Sequence, residues 1–187
     1  DAAGTVTTLA FGQASLIAKK WQLAFAVGND LLADSKPALA DWLIALAAES
    51  MANMVDKQGF DGTGLPFVGI RNHADPTVVT LASGNVDFSD YDVVVDSSDV
   101  IGNLEESLLD GAAYYMHRTV WAKLRAQKDT AGNFILQQGG RVLTDFPKQG
   151  GRTPAGEIMG YPVFTTSHLP KNADTAVDTK YIIFGNL

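Results

Sequence analysis

The sequence predicts an α+β fold, because apolar residues recur with a two-residue period in some segments and with three- and four-residue spacing in others. These segments intermingle without the regular strand–helix–strand repeat that builds a parallel α/β sheet. A length of 187 residues, of which 46% are apolar, suffices for one sizeable core or for two small lobes joined by a linker.

The first half of the chain is predicted to contain a strand and a long helix. Across residues 21–27, large apolar residues alternate with smaller or polar ones, which is typical of a strand with one buried face. Residues 29–34 predict a short helical turn. Across residues 37–58 the apolar spacing changes to three and four residues, which predicts a helix roughly 30 Å long. Pro37 suits its first turn, and Gly59 is expected to end it.

A shift in composition at Asp75 and Pro76 predicts a boundary between an N-terminal lobe, residues 1–74, and a C-terminal lobe, residues 75–187. The strands predicted in the C-terminal lobe are residues 78–81, 91–95, 112–116, 134–136, 161–165 and 181–184. This lobe is therefore expected to hold most of the sheet.

Two helices are predicted in the C-terminal lobe. The first follows a possible N-cap at Ser97, Ser98 or Asp99, carries Ile101, Leu104, Leu108 and Leu109, and ends at Asp110 and Gly111. The second begins at Arg118 or Thr119 and places Val120, Trp121 and Leu124 on one face. Residues 129–133 predict a turn, residues 138–156 a long surface loop, and residues 171–179 a polar connection.

Charge and composition exclude several classes of protein. The net charge is −7 and the 14 Lys and Arg residues are scattered along the sequence. Proteins that bind nucleic acid need clustered cations to contact its phosphates, so this function is not predicted. The absence of cysteine removes disulfides and thiolate metal sites. The longest apolar run, residues 39–55, is interrupted by Asp41, Glu49, Ser50 and Asn53 and is too polar to span a bilayer.

Catalytic motifs are not evident. The glycine-dense residues 59–64 lack the Gly-Lys-Ser/Thr ending of a phosphate-binding loop, so a flexible turn is predicted there. His73, His117 and His168 lie far apart and form no H-E-x-x-H pattern, and no Gly-x-Ser-x-Gly elbow is present. We therefore assign no catalytic, cofactor-binding or metal-ligating residue.

One group of acidic residues leaves an alternative open. The group consists of Asp92, Asp96, Asp99, Glu105 and Glu106. Their spacing does not match a calcium loop, and capping or solvated surface charge accounts for them. Paired carboxylates can also perform acid–base chemistry. A small α+β enzyme that uses this group is therefore the alternative from a different functional class.

The order of several motifs resembles the major capsid proteins of tailed bacteriophages, the family with the Hong Kong 97-type fold. The motifs are residues 29–35 (NDLLADS), the predicted helix at 37–58, the turn at 61–64 (DGTG), residues 111–125 (GAAYYMHRTVWAKLR), residues 160–163 (GYPV) and residues 184–187 (FGNL). The last resembles the family's F-G-D-F, with Asn186 in place of Asp and Leu187 in place of Phe. The resemblance covers the chain from about residue 16 to its end.

This resemblance implies a fold and an extent. Residues 75–187 would form the axial domain, and residues 1–74 part of the peripheral domain, including its long spine helix. Residues 1–13 would be the end of the family's extended loop. Since the N-terminal arm, most of that loop and the C-terminal peripheral strand are not matched, the chain resembles a fragment. Such a fragment is expected to be monomeric or weakly associated in solution.

The resemblance also implies a function without catalysis. The chain would be a structural head protein of a tailed phage or prophage, which assembles with copies of itself in pentamers and hexamers into an icosahedral shell around DNA. Contact with packaged DNA would be non-specific, a scaffold and a maturation protease would be further partners, and neither cofactor nor membrane is implied. Assembly would occur in the bacterial cytoplasm and the product would be the virion capsid. The shell of a bacterial encapsulin compartment, which has the same fold, is the alternative within this class.

Overall fold

The computed structural model describes residues 18, 20–30, 38–74, 76–80, 100–128, 130–136, 153–171 and 179–187. The chain divides into two units, Asp1–Ala47 and Ala48–Leu187. The helices of the described residues are α1 (Ala38–Asp61), a 3-10 turn (Ile70–Asn72), α2 (Glu106–Leu109) and α3 (Arg118–Arg125). The strands are β1 (Ala113–Met116), β2 (Gly156–Ile158), β3 (Tyr161–Thr165) and β4 (Ile182–Gly185).

The four strands form one mixed sheet in the order β2-β3-β1-β4. β1 and β3 are parallel, with Tyr114 opposite Val163, whereas β4 pairs antiparallel to β1, with Tyr114 opposite Phe184. β2 and β3 form an antiparallel hairpin. Because helices and strands combine here without a repeating parallel unit, the α+β class is confirmed.

The strand β1 is buried along its whole length because both faces of the sheet are covered. On one face, Tyr114 and Met116 pack with residues of α3, β2 and β3. On the other face, Ala113 and Tyr115 pack with Phe164 and Leu169. A strand that is buried on both faces reads as a continuous apolar run rather than as an alternation.

The helix α3 covers the first face through the three residues that the sequence predicted, Val120, Trp121 and Leu124. The Trp121 ring lies directly against β2, since a Cβ atom placed on Gly156 would collide with it. The surface loop predicted for residues 138–156 ends with Gly156, and the prediction is wrong for this residue, which lies in β2. The strand it begins has only three residues and therefore shows no periodic pattern.

The β2–β3 hairpin turns through Met159 and Gly160, which have φ values of 49° and 86°. Two central residues with positive φ are typical of the turn whose twist matches that of the flanking strands. Glycine adopts this conformation without steric cost. Residues 160–163 therefore leave a tight turn and enter a strand, and β3 has the predicted bounds.

Three predicted strands are not formed by the described residues. Residues 20–28 and 77–80 have no regular secondary structure, and in the segment 134–136 only Phe134 makes an isolated bridge, with Lys128. An alternating pattern shows that a segment could bury one face, but a strand also needs a neighbour for its backbone hydrogen bonds. The predicted strand at 91–95, the caps at 97–99 and most of the loop at 138–156 lie outside the described residues.

The predicted helix bounds need correction at two places. α1 continues through Gly59 to Asp61, and its last backbone bond runs from Gly62 N to Gln58 O at 3.0 Å. α2 is only four residues long, because residues 100–104 form turns instead of a first helical segment. Its predicted end is confirmed, since Gly111 has a φ of 85°. The predicted turn at 29–34 is described only at Asn29 and Asp30, which are helical.

Replacement of Gly156 by alanine tests the packing of Trp121. The added methyl group would meet the indole ring, so we expect a loss of about 1–3 kcal/mol in the free energy of unfolding, the usual cost of overpacking a core. Gly185→Ala is the matched control, because a Cβ atom at that strand position meets no atom within 4 Å. Urea unfolding followed by circular dichroism compares the two variants. Equal stabilities would contradict the packing described for Trp121.

Candidate interaction surface

The acidic group singled out in the sequence is only partly described. Glu105 and Glu106 are exposed at the start of α2, whereas the three aspartates lie outside the described residues. Within the described segments, no group of three or more His, Asp or Glu side chains is placed to hold a metal ion. None of the helices in these segments has both the length and the apolar character needed to cross a bilayer.

The glycine-rich segment after α1 forms an ordered turn, which we call the glycine turn, residues 62–69. Gly69 N donates to Gly62 O at 2.8 Å, and Gly64 N donates to Phe67 O at 3.2 Å. Thr63 and Val68 form an isolated antiparallel bridge between these bonds. The predicted turn is confirmed from Gly62 onward but is wrong for residues 59–61, which are helical, and its backbone is fixed by hydrogen bonds.

Side chains beyond the glycine turn hold its base against the end of α1. Asn72 Nδ2 lies within hydrogen-bond distance of Asp61 O, Asp61 Oδ1 and Gly62 O, at 3.3, 3.3 and 3.1 Å. Arg71 also forms an ion pair with the Asp61 carboxylate. The last residue of α1 is thus connected to the 3-10 turn on the other side of the loop.

Two glycines are required by the close approach of backbone in this turn. A Cβ atom on Gly62 would lie 2.6 Å from Gln58 O and 2.6 Å from Phe67 O. A Cβ atom on Gly69 would collide with Gly62 N and lie 2.8 Å from both Asp61 N and Gln58 O. These neighbours are backbone atoms, which cannot rotate away. Gly59 differs, since a Cβ atom there meets nothing within 4 Å.

The glycine turn presents apolar side chains at its tip. Leu65 is 85% exposed, and Phe67 and Val68 are also exposed. A fixed loop loses little conformational entropy when its side chains become buried in a contact. The tip of the glycine turn is therefore suited to contact another protein surface.

The helix α1 carries further exposed apolar residues. Trp42 and Ile44, in the first unit, are 59% and 68% exposed. Met51 and Val55, in the second unit, are exposed as well. None of the described side chains of α1 is fully buried, although apolar residues occur all around the helix. A helix with apolar residues on every side is usually covered by other parts of a protein or by a neighbour.

A second exposed apolar site follows α3. Ile135 N donates to Gln127 O at 3.1 Å, and the Lys128 ammonium lies 4.9 Å from the centre of the Phe134 ring. Phe134 and Ile135 are both exposed. This short hairpin, like the glycine turn, offers apolar surface on a hydrogen-bonded backbone.

The three histidines have separate environments. His73 is exposed, His168 is half-buried after β3, and His117 is buried between β1 and α3. His117 serves as the N-cap of α3, a role that the sequence analysis missed. Histidine is not among the residues that commonly occupy this position, so no sequence signal indicated it.

Comparisons with known proteins agree with this architecture. The sequence matches the model of the phage capsid family over residues 1–187. A search of curated proteins gives no match. Two solved capsids of gene-transfer-agent (GTA) particles, both computed with C5 symmetry, are similar in structure.

The similarity to these capsids is one of fold. The capsid of the empty particle has a TM-score of 0.58 and 21% sequence identity, over 84% of this chain and 53% of that chain. The capsid of the native particle has a TM-score of 0.60 and 22% identity, over 84% and 52% of the two chains. The chain therefore spans about half the length of these capsid chains.

Alanine substitutions at two nearby glycines are expected to have opposite effects on stability. Gly69→Ala places a methyl group against three backbone atoms, so we expect it to lower the free energy of unfolding by about 1–3 kcal/mol. Gly59→Ala, inside α1, is expected to raise it by about 0.5–1 kcal/mol, because alanine favours the helix and nothing obstructs it. Chemical denaturation of the two variants measures the difference. A neutral Gly69→Ala would show that the turn is not held as described.

Proposed function

Because the chain belongs to the phage capsid family, we propose that it is a structural subunit of a phage-type head that joins copies of itself into a closed shell. The family match over residues 1–187 carries this proposal. The fold shared with the capsids of GTA particles supports it. In a closed symmetric assembly the same contact is repeated many times, so each contact can be modest.

The two predicted lobes would have the two roles that the resemblance implies. Residues 75–187 would be the axial domain, and the described residues of this lobe contain the four-stranded sheet and α3. Residues 1–74 would be part of the peripheral domain, with α1 as its spine helix; α1 has 24 residues, in keeping with a long spine. The axial lobe would meet its neighbours around five- and six-fold axes, and the peripheral lobe would meet them along its edges.

The shell would be icosahedral and would enclose DNA, with which a chain of net charge −7 would make only non-specific contact. A scaffold and a maturation protease would assist its formation in the bacterial cytoplasm. The subunit itself would have no enzymatic activity, since a shell requires only complementary surfaces between its copies.

The tip of the glycine turn would contact a second copy of the chain. Its apolar side chains are exposed, its backbone is fixed, and no charged residue occurs between Gly62 and Gly69. Removal of apolar surface from water is the dominant favourable contribution to most protein–protein contacts. In a closed shell every subunit has neighbouring copies, so a second copy of the chain is available to contact this tip.

Electron microscopy of the complete gene product expressed in bacteria tests the assembly. We expect regular hollow particles in negative stain and a single large species in light scattering. A product that stays monomeric at high concentration, even when it is expressed together with the products of the neighbouring genes, would contradict the proposal.

The substitution Leu65→Glu tests the contact at the glycine turn. Burial of a leucine side chain is worth about 1.5–3 kcal/mol, so the change is expected to weaken each contact more than about tenfold and to reduce the yield of particles. Ser167→Glu adds the same charge to an exposed polar turn after β3 and is the matched control.

Thermal unfolding of the unassembled Leu65→Glu subunit separates two explanations for lost particles. If Leu65 contacts another copy, the subunit keeps its unfolding temperature and loses only assembly. A large drop in the unfolding temperature would instead mean that Leu65 is covered by its own chain, and the proposed contact would be wrong.

A further inference from the structure

The residue between β1 and α3 is a buried histidine that caps a helix. His117 is only 5% exposed, and its extended backbone (φ −73°, ψ 146°) is typical of an N-cap. Its Nδ1 atom accepts a hydrogen bond from Thr119 N at 3.1 Å. The same Nδ1 atom lies 2.8 Å from Thr119 Oγ1. One ring nitrogen therefore faces both a backbone donor and a hydroxyl group.

The cap can exist in only one protonation state. A ring nitrogen accepts a hydrogen bond only while it carries no proton, and both ring nitrogens of a protonated imidazole are donors. On protonation Nδ1–H can donate to Thr119 Oγ1, but Nδ1 no longer accepts from the Thr119 amide. A positive charge at this place is also opposed by the helix dipole and by burial.

The first turn of α3 connects the cap to the core. The amides of Val120 and Trp121 both donate to His117 O, at 3.0 and 3.1 Å. Val120 and Trp121 are members of the core cluster that covers β1. A change at the cap is thereby transmitted to the helix that covers one face of the sheet.

Several ionisable side chains belong to the described elements that meet at this end of the sheet. Arg118 follows His117 in α3, and His168 lies shortly after the end of β3, which pairs with the end of β1. Lys180 and Tyr181 precede β4, whose first residue, Ile182, pairs with Met116. Arg118 and Lys180 are basic residues, so neither supplies the negative charge that would stabilise an imidazolium.

We infer that His117 makes α3 a pH-sensitive element: the cap is formed at neutral pH and released in mildly acidic solution. Histidine side chains in water titrate near pH 6.5. Because the folded state needs the neutral ring, the unfolded state binds more protons as the pH falls through this range. The contribution of the cap to stability is therefore complete above this range and is lost as the pH falls below it.

A comparison of unfolding in the intact protein at pH 7.5 and pH 5.5 tests the inference. In the wild type, the equilibrium constant for unfolding is expected to rise by up to about tenfold for each pH unit below 6.5. His117→Asn supplies a capping side chain that does not titrate, so it should lose much less stability in acid. His73→Asn removes an exposed histidine and should behave like the wild type. Equal acid sensitivity of His117→Asn and the wild type would overturn the inference.

Two further measurements keep the inference testable if His117→Asn does not fold. A ¹⁵N NMR titration of the wild type should show Nδ1 unprotonated at pH 7.5, with the Thr119 amide losing protection as the ring titrates. A proton on Nδ1 at pH 7.5 would overturn the inference. Thr119→Val removes the hydroxyl that accepts from the protonated ring, so it should make the acid loss larger than in the wild type.

Discussion

The burial of β1 on both faces determines what the rest of the second unit must supply. Tyr114 and Met116 point into one core cluster, and Ala113 and Tyr115 into another, so each face needs its own cover. α3 provides that cover on the first face. On the second face, the Phe60 ring near the end of α1 lies 6.1 Å from the Tyr115 ring. The last turn of α1, which belongs to the second unit together with the sheet, thus packs on the strand.

The glycine turn shows how similar residues in one short segment can have different roles. Gly59 lies inside α1, where it is merely tolerated, whereas Gly62 and Gly69 permit backbone segments to approach each other closely. Composition alone suggests a flexible loop, because it counts glycines without regard to their neighbours. The hydrogen bonds from Asn72 and the ion pair of Arg71 show that the base of the turn is held on both sides. Leu65 is exposed on this fixed base, which distinguishes it from an apolar residue on a loose loop.

The sequence was sufficient where a segment carries its own pattern and insufficient where it depends on a distant partner. The three apolar residues of α3, the bounds of β3 and the end of α2 at Gly111 all follow from local spacing or from a glycine with positive φ. Residues 21–27 show an equally clear alternation of apolar residues, yet the described residues contain no strand that pairs with them. β2 is the opposite case, since three residues without a pattern form a strand because β3 lies beside them. In the candidate surface, the glycine-rich turn could be recognised in the sequence, but the exposure of Leu65 could not. The capping role of His117 could not be recognised either, because it depends on a side-chain contact with Thr119.

Motif order was a stronger signal than any one motif because three of the motifs are neighbours in space. Residues 111–125 contain β1, residues 160–163 lead into β3, and residues 184–187 include the end of β4; β3 and β4 both pair with β1. The Tyr114 ring lies 4.6 Å from the Phe184 ring, which joins the first motif to the last. Asn186, which stands where the family motif has Asp, donates from Nδ2 to Asp110 O at 2.9 Å, and a carboxylate could not donate this bond. The departure from the family motif therefore provides a hydrogen bond between the end of β4 and the turn before β1.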